Sequence, residues 1–322
     1  MSKSDGNLVT HFLLLLVVII WGSSWAVARI LSSGLDSESP ATLDPATAAW
    51  LRYAVVVAMF FAWCAYKSLS GETIRALPPD RNTWRSVLWI GFFGVMIYQL
   101  LFMHGMKWTA AGDASLIIPI NPVFTVLLAA PMLGQPISGK MALGLAIGMG
   151  GVAAVVGWSP NVDIPFEHRL LGDVMIFFAA LSWATTTNLT KRVLERRRGE
   201  VEASVIEIVI WYSFAGWVML TPWMLYELWG SPLPEPTTVE WALIVYLGAF
   251  STVLAYVWFA MGIDRLGPTA TASYVFLVPV FGILTGWALL GESIGFSMLV
   301  CFVLIVVGVR EVQRESASLR TD

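Results

Sequence analysis

The sequence predicts an all-α membrane protein: ten transmembrane helices built as two inverted five-helix repeats around a central cavity. Three observations predict it, namely a deficit of charge, apolar runs of spanning length, and internal repetition. Of the 322 residues, 57% are hydrophobic and only 13% charged, against about 25% charged in a soluble domain. Mean hydropathy is +0.73. Most of the surface therefore does not face water. The net charge of −3 is spread along the chain without a long basic tract, which argues against nucleic acid as a partner.

Apolar runs of about 20 residues match helices crossing a hydrocarbon core of roughly 30 Å. Ten such runs fall at about 9–33, 46–66, 85–107, 110–133, 140–157, 171–191, 204–228, 239–262, 268–290 and 295–311. The breaks carry charge, Pro, Gly and Asn, as at 36–45, 76–85, 159–169 and 230–236, which is loop chemistry. Lipid offers no partner to an open sheet edge, so the runs are helices. They lack the alternation that a barrel strand would show. The first run extends to Leu31, too long for the core of a cleaved signal peptide. Cys64 and Cys301 sit inside apolar runs without a Cys or His companion, and read as buried, inert thiols.

Basic residues set the orientation. With a cytoplasmic N-terminus, 15 of the 19 Lys and Arg fall on inside segments and four (Arg29, Arg52, Lys107 and Arg169) outside. The sequence thus predicts both termini in the cytoplasm.

Repetition is the most informative feature. With Pro122 placed on Pro279, the segment 121–124 lies over 278–281, Leu133-Gly-Gln135 over Leu290-Gly-Glu292, Phe102 over Phe259 and Gly105 over Gly262. At a slightly different offset Trp21-Gly-Ser-Ser24 falls over Trp183-Ala-Thr-Thr186. The expected organisation is a first repeat over 1–157, an extracytoplasmic loop over 158–169, and a second repeat over 170–322 that ends in a short cytoplasmic tail. Five is odd, so the second copy enters the membrane from the opposite side. Inverted repeats of this kind characterise secondary transporters, whose substrate sites lie near the midplane between the halves.

The segments from Ile19 (IIWGSSWAVARIL), Gly91 (GFFGVMIYQLLFMHGMKWTAAGDASLI), Asn121 (NPVFTVLLAAPMLGQPIS) and Gly248 (GAFSTVLAYVWFAMGIDRLGPTATASYVFLVPVFGILTGWALLGESI) resemble the ten-helix EamA-type branch of the drug/metabolite transporter superfamily. The most specific pieces are Leu290-Gly-Glu292 with upstream Pro279, and LAYVWF in the eighth run. The resemblance covers nearly the whole chain. It implies a cavity lined mainly by spans 1, 3, 4, 6, 8 and 9, and export of amino acids or similar small metabolites across the cytoplasmic membrane. The first copy departs from the pattern, with Gln135 where the motif usually has Glu.

Polar and aromatic residues at depth are the site candidates, because unpaired polar groups are costly there. Span 6 is richest, with Ser182, Thr185, Thr186, Thr187, Asn188 and Thr190 beside Trp183. The alternative for them is helix–helix bonding or hydroxyls bonded to the i−4 carbonyl. Tyr98 and Gln99 lie in the middle of span 3, and Gln99 maps by repeat to Tyr256 in span 8. Trp21, Trp25 and Trp183 offer flat surfaces to an apolar or aromatic substrate. The expected substrate-binding set is Trp21, Tyr98, Gln99, Asn121, Trp183, Thr186, Asn188 and Tyr256. Pro119, Pro122 and Pro279 interrupt spans 4 and 9 and are candidate gating hinges, since Pro removes a backbone hydrogen bond. Gly144 with Gly148, and Gly282 with Gly286, have the spacing for close helix approach.

Arg52 and Glu207 stand a few residues inside spans 2 and 7 and read as snorkelling or paired near an interface. His104 lies near an outer helix end. No acidic residue falls at mid-depth, which argues against simple carboxylate-based proton exchange. Two motifs mislead. Gly134 to Lys140 fits a phosphate-binding loop but joins two membrane helices and ends in Met141. Asn188-Leu-Thr190 fits a glycosylation sequon but lies within a span. The sequence calls for no cofactor and no metal, and for a lipid bilayer and a small-molecule substrate as partners. The rival readings are a membrane-embedded enzyme and a non-transporting receptor or assembly protein. The enzyme lacks a reactive cluster; Ser23 or Ser24 with His104 is the nearest approach to one.

Overall fold

A computed structural model describes residues 3–35, 39–71, 78, 80–133, 138–196, 205–230, 232–266 and 274–318. Among them no strand occurs, and helices follow one another along the chain. They are α1 (Lys3–Ser33), α2 (Pro45–Leu69), α3 (Arg81–Trp108), α4 (111–133), α5 (Gly139–Gly157), α6 (Phe166–Arg196), α7 (Val205–Glu227), α8 (238–266), α9 (Val275–Leu290) and α10 (Phe296–Ser318). Nine of the described helices are long and apolar enough to cross a membrane, and α9 is a shorter apolar tenth. A 19-residue helix such as α5 reaches about 28 Å at 1.5 Å per residue, which matches the hydrocarbon core.

Helix ends follow local chemistry. The Asp80 side chain accepts from the backbone N–H of Asn82 and Thr83 and caps α3. Thr237 and Glu240 form a reciprocal capping box on α8. Gly291 ends α9 in the left-handed conformation at φ 67°, a position that a side chain would strain. The observed helices run a few residues past the expected spans at several ends, most of all α6, because polar and charged residues continue a helix beyond the lipid.

Two interruptions are shared by the halves. In α3 the residues Phe92–Ile97 form a π-helical turn, and in α8 Tyr246–Leu254 do the same. With Gln99 on Tyr256 these segments overlap, so the widened turn occupies the same place in both copies. In α4 a 3-10 turn over Ile118–Ile120 separates two α segments, and a 3-10 turn over Val275–Leu277 precedes the α segment of α9. Pro119 lies inside the first turn. Pro122 and Pro279 each take the second position of the α segment that follows, where a missing N–H costs nothing.

The halves interlock. Helix α1 packs on α8 and α9, α2 on α7, and α4 on α6. Between α5 and α10 the contact is the most extensive. A Cβ on Gly308 would stand 2.4 Å from the Gly148 backbone nitrogen, and one on Gly144 would stand 2.9 Å from the Gly308 carbonyl. Gly282 lies against Ser115 and Gly286 against Glu292. Both small-residue pairs therefore serve close approach. Cys301 is buried and Cys64 half-buried, and both are free thiols.

Candidate functional site

Four aromatic side chains singled out from the sequence meet in the interior. Trp21 on α1 contacts Tyr256 on α8 (ring centroids 5.9 Å), Tyr256 contacts Trp183 on α6 (6.1 Å), and Trp183 contacts Tyr98 on α3 (5.4 Å). Phe102 and Phe259, which the repeat also pairs, extend the chain of rings at 5.7 Å from Tyr98 and 5.1 Å from Trp21. Each half supplies two of the four central rings, from four different helices. Each of the four is half-buried and keeps part of its surface accessible. Counting from the helix ends at Ser33, Trp108, Phe166 and Thr238, the cluster lies about 15–27 Å along the helices at 1.5 Å per residue, well inside each span.

The widened turns position polar groups beside these rings. The Trp21 indole N–H donates to the Ser251 carbonyl in the π segment of α8 (3.0 Å). Thr252 in the same segment donates to the carbonyl five residues back (2.9 Å). π-bulges often occur at functional sites because they turn backbone and side chains out of register. Gln99, 1% exposed, accepts from the Arg52 guanidinium (Nη1 to Oε1, 3.3 Å), and Arg52 Nη2 donates to the Thr252 hydroxyl (3.0 Å). Arg52 is 8% exposed and lies 5.9 Å from the centroid of the Tyr53 ring. The expectation that Arg52 snorkels or is paired near an interface is thus corrected: it is bonded inward, to Gln99 and Thr252. Its long stem carries the charge inward from α2 to the central cluster.

Other candidates take different places. Asn188 is 1% exposed, and its amide donates to the Thr125 carbonyl on α4 (2.9 Å) and to the Ala184 carbonyl (3.1 Å), tying α6 to α4. Thr185, Thr186 and Thr187 each donate to the carbonyl four residues back, and Ser182 donates to the Phe93 carbonyl across to α3 (2.7 Å). The Thr186 side chain also fills the space beside Gly94, in the π turn of α3. Asn121 starts the second α segment of α4, where its carbonyl accepts from Thr125 (3.0 Å). Ser23 bonds the Tyr246 hydroxyl (2.6 Å), whereas His104 faces Glu227 at 3.6 Å. The serine and the histidine do not meet. Glu207 is buried at 9%. Gln135 and the start of the 134–140 motif lie outside the described residues.

A second polar region closes one end of the bundle, where α2, α4, α6, α8 and α10 begin. Glu227, at the end of α7, accepts from the Ala46 and Thr47 backbone N–H groups (2.8 and 2.6 Å) at the start of α2. Glu240 accepts from the Thr42 backbone and hydroxyl (2.8 and 2.7 Å). Glu292 accepts from the Ala111 and Gly112 N–H groups (2.6 and 2.8 Å) at the start of α4. Burial pushes the Glu292 carboxyl above the ordinary value, while those two bonds and nearby Arg29 pull it back. Beside it, Arg169 Nε stands 4.0 Å from Asp113 Oδ2, Asn161 donates to Asp113 (3.3 Å) and Thr109 donates to Asp173. Asp113 and Asp173 are 0% and 1% exposed. Sequence spacing does not reveal this cluster, since its members lie on α4, α6 and the loops before α4, α6 and α10. Its one legible trace is Leu290-Gly-Glu292, whose acid does the capping.

The described cavity at the opposite end, about 270 Å³ between α3 and α6, is lined by Asn82, Arg85, Ser86, Trp89, Leu189, Arg192 and Val193. It is separate from the aromatic centre: Leu189 lies six residues beyond Trp183, about 9 Å, and Ser86 twelve before Tyr98, about 18 Å.

A multi-pass bundle of two interlocked repeats, with aromatic rings from both copies gathered at mid-depth, has the build of a membrane transporter. The model of the EamA-like transporter family matches the chain twice, over residues 8–157 and 170–311, and the chain belongs to that family. It is similar to an "Uncharacterized transporter" of Archaeoglobus fulgidus, 27% identical over 94% of this chain and 96% of the relative. It is also similar to a "Probable terminal-alkyne amino-acid exporter" of Streptantibioticus cattleyicolor, 26% identical over 96% and 95%. A "Probable amino-acid metabolite efflux pump" of Salmonella typhimurium is 27% identical over 96% and 94%. A crystal structure that is 20% identical superposes with a TM-score of 0.57 over 98% of this chain and 99% of that one, a likeness of fold. The protein is a membrane transporter and not an enzyme.

Proposed function

We propose that this transporter exports amino acids or closely related small metabolites across the cytoplasmic membrane by alternating access, with both termini in the cytoplasm. One observation carries the reading: Trp21, Tyr98, Trp183 and Tyr256, two from each repeat, share one partly accessible cluster at mid-depth. A site built from both copies changes its walls when the copies move against each other, as inverted repeats do in alternating access. The two amino-acid-exporting relatives support the substrate class. The excess of Lys and Arg on the end that carries the termini supports the orientation. The interlocked carboxylates at the other end support a state closed toward the outside. In this mechanism substrate enters from the cytoplasm and rests among the rings, and the prolines of α4 and α9 bend as the closed end opens.

The test is flux into proteoliposomes for a panel of amino acids and their derivatives, with labelling of tags at the two termini in intact cells. Uptake that depends on the protein, with both tags protected, is the expected result. Absence of flux for every compound, or tags on opposite faces, would sink the reading.

A further inference from the structure

Arg52 is a buried cation to which the described residues supply no anion. It is 8% exposed, and among the described residues no carboxylate lies within ion-pair distance of it. Glu227, Glu240 and Glu292, contributed by α7, α8 and the loop before α10, are engaged at the closed end, on backbone N–H groups and Thr42. A guanidinium has five N–H donors in a fixed fork. Here Gln99 takes one at 3.3 Å and Thr252 another at 3.0 Å, while Nε has no acceptor although fully enclosed. Taking a cation out of water is strongly unfavourable unless it is paired. A neutral amide and a hydroxyl are weak compensation. The charge is nevertheless held beside the aromatic wall, since Gln99 adjoins Tyr98, and Thr252 adjoins the Ser251 carbonyl that accepts from Trp21.

We propose that Arg52 is the anchor for a substrate carboxylate, with the Trp21, Tyr98, Trp183 and Tyr256 rings receiving an apolar or aromatic body attached to it. The planar fork matches a carboxylate in two-point geometry, and Gln99 and Thr252 hold the fork in place from α3 and α8. The inference rests on the transport reading and narrows it: the substrate is a carboxylate-bearing metabolite, and Arg52 sets that specificity. The fold leaves the opposite charge to the cargo, so anion recognition and substrate loading are one event.

The experiment compares phenylalanine with phenylalaninamide and 3-phenylpropionate in proteoliposomes, using wild type, Arg52→Gln and Arg52→Lys. The two acids share the carboxylate, and the amide keeps the ring and the ammonium. Wild type is expected to take up phenylalanine and to prefer it to the amide by about 30-fold or more, as the loss of one partner from a buried charge pair implies. Arg52→Gln should lose that preference, and Arg52→Lys should retain part of it. Monodispersity on gel filtration guards against misfolding, and the wild-type comparison requires no variant. Equal uptake of acid and amide by wild type, or unchanged acid uptake by folded Arg52→Gln, overturns the anchor and leaves the transport reading standing. Flux of other panel compounds with neither acid moving does the same. Absence of flux for every compound overturns both.

Discussion

The centre and the closed end of the bundle both gather residues from the two repeats, yet they are built from opposite chemistry. At the centre the contacts are ring to ring, soft in direction and partly accessible, around one cation whose Nε has no acceptor among the described residues. At the end they are short carboxylate bonds to backbone N–H groups and a buried acid–arginine cluster. Aromatic faces tolerate a changing partner, because an offset or tilted pair costs little to rearrange. A charged cap on a helix N-terminus is directional and strong. The difference teaches a division of labour: one region can exchange contacts with a ligand, and the other holds the halves in register.

Substitutions can break or sharpen that division. The largest effect is expected from Arg169→Leu, which leaves Asp113 and Asp173 buried without their cation and should cost about 3–5 kcal/mol, read as a fall in the unfolding midpoint in detergent. An unchanged midpoint would show that the cluster is not what holds the end. Trp183→Ala removes the ring that touches both Tyr98 and Tyr256. At about 0.5–1.5 kcal/mol per ring pair it should weaken substrate uptake by roughly tenfold with a smaller change in melting than Arg169→Leu. The reverse ranking, with stability lost and uptake intact, would erase the comparison. Glu227→Ala strips the caps from Ala46 and Thr47 and should cost about 1 kcal/mol, with Glu227→Gln milder; equal melting of all three proteins would refute the cap's contribution.

The smallest effect concerns acidity at Glu292. Its carboxyl is raised above the usual 4.5 by burial, so the folded protein holds that proton more tightly than the unfolded chain. The stability this gives is full below the unfolded value and is lost as pH rises through the folded one. Wild type should therefore gain slightly in melting temperature between pH 7 and pH 5 relative to Glu292→Gln, which mimics the protonated form. A parallel pH profile for the two proteins would remove Glu292 from the account.

Much of this was legible in the residues. Runs of spanning length placed the helices, and the repeat matched Trp21 with Trp183 and Gln99 with Tyr256, on helices whose rings do come together. What the repeat could not give was depth. Arg52 stands two turns into α2, where a stem that reaches outward to the interface and one that reaches inward look alike in sequence. Its direction is settled by Gln99 and Thr252 on other helices. The threonines of α6 show the converse. Their crowding suggests a polar pocket, but Thr185, Thr186 and Thr187 spend their hydroxyls on their own helix. Asp113, Arg169 and Asp173 do not read as a cluster in sequence, because charges near a span's end look solvated until tertiary contacts enclose them.

The glutamate caps at that end also run in one direction along the chain. The donors at Thr42, Ala46, Thr47, Ala111 and Gly112 belong to the first repeat, and the acceptors Glu227, Glu240 and Glu292 belong to the second. During biosynthesis the first five helices therefore leave the ribosome with exposed amide groups whose partners have not yet been translated. The earlier copy is finished only by the later one, so the two cannot mature as independent domains.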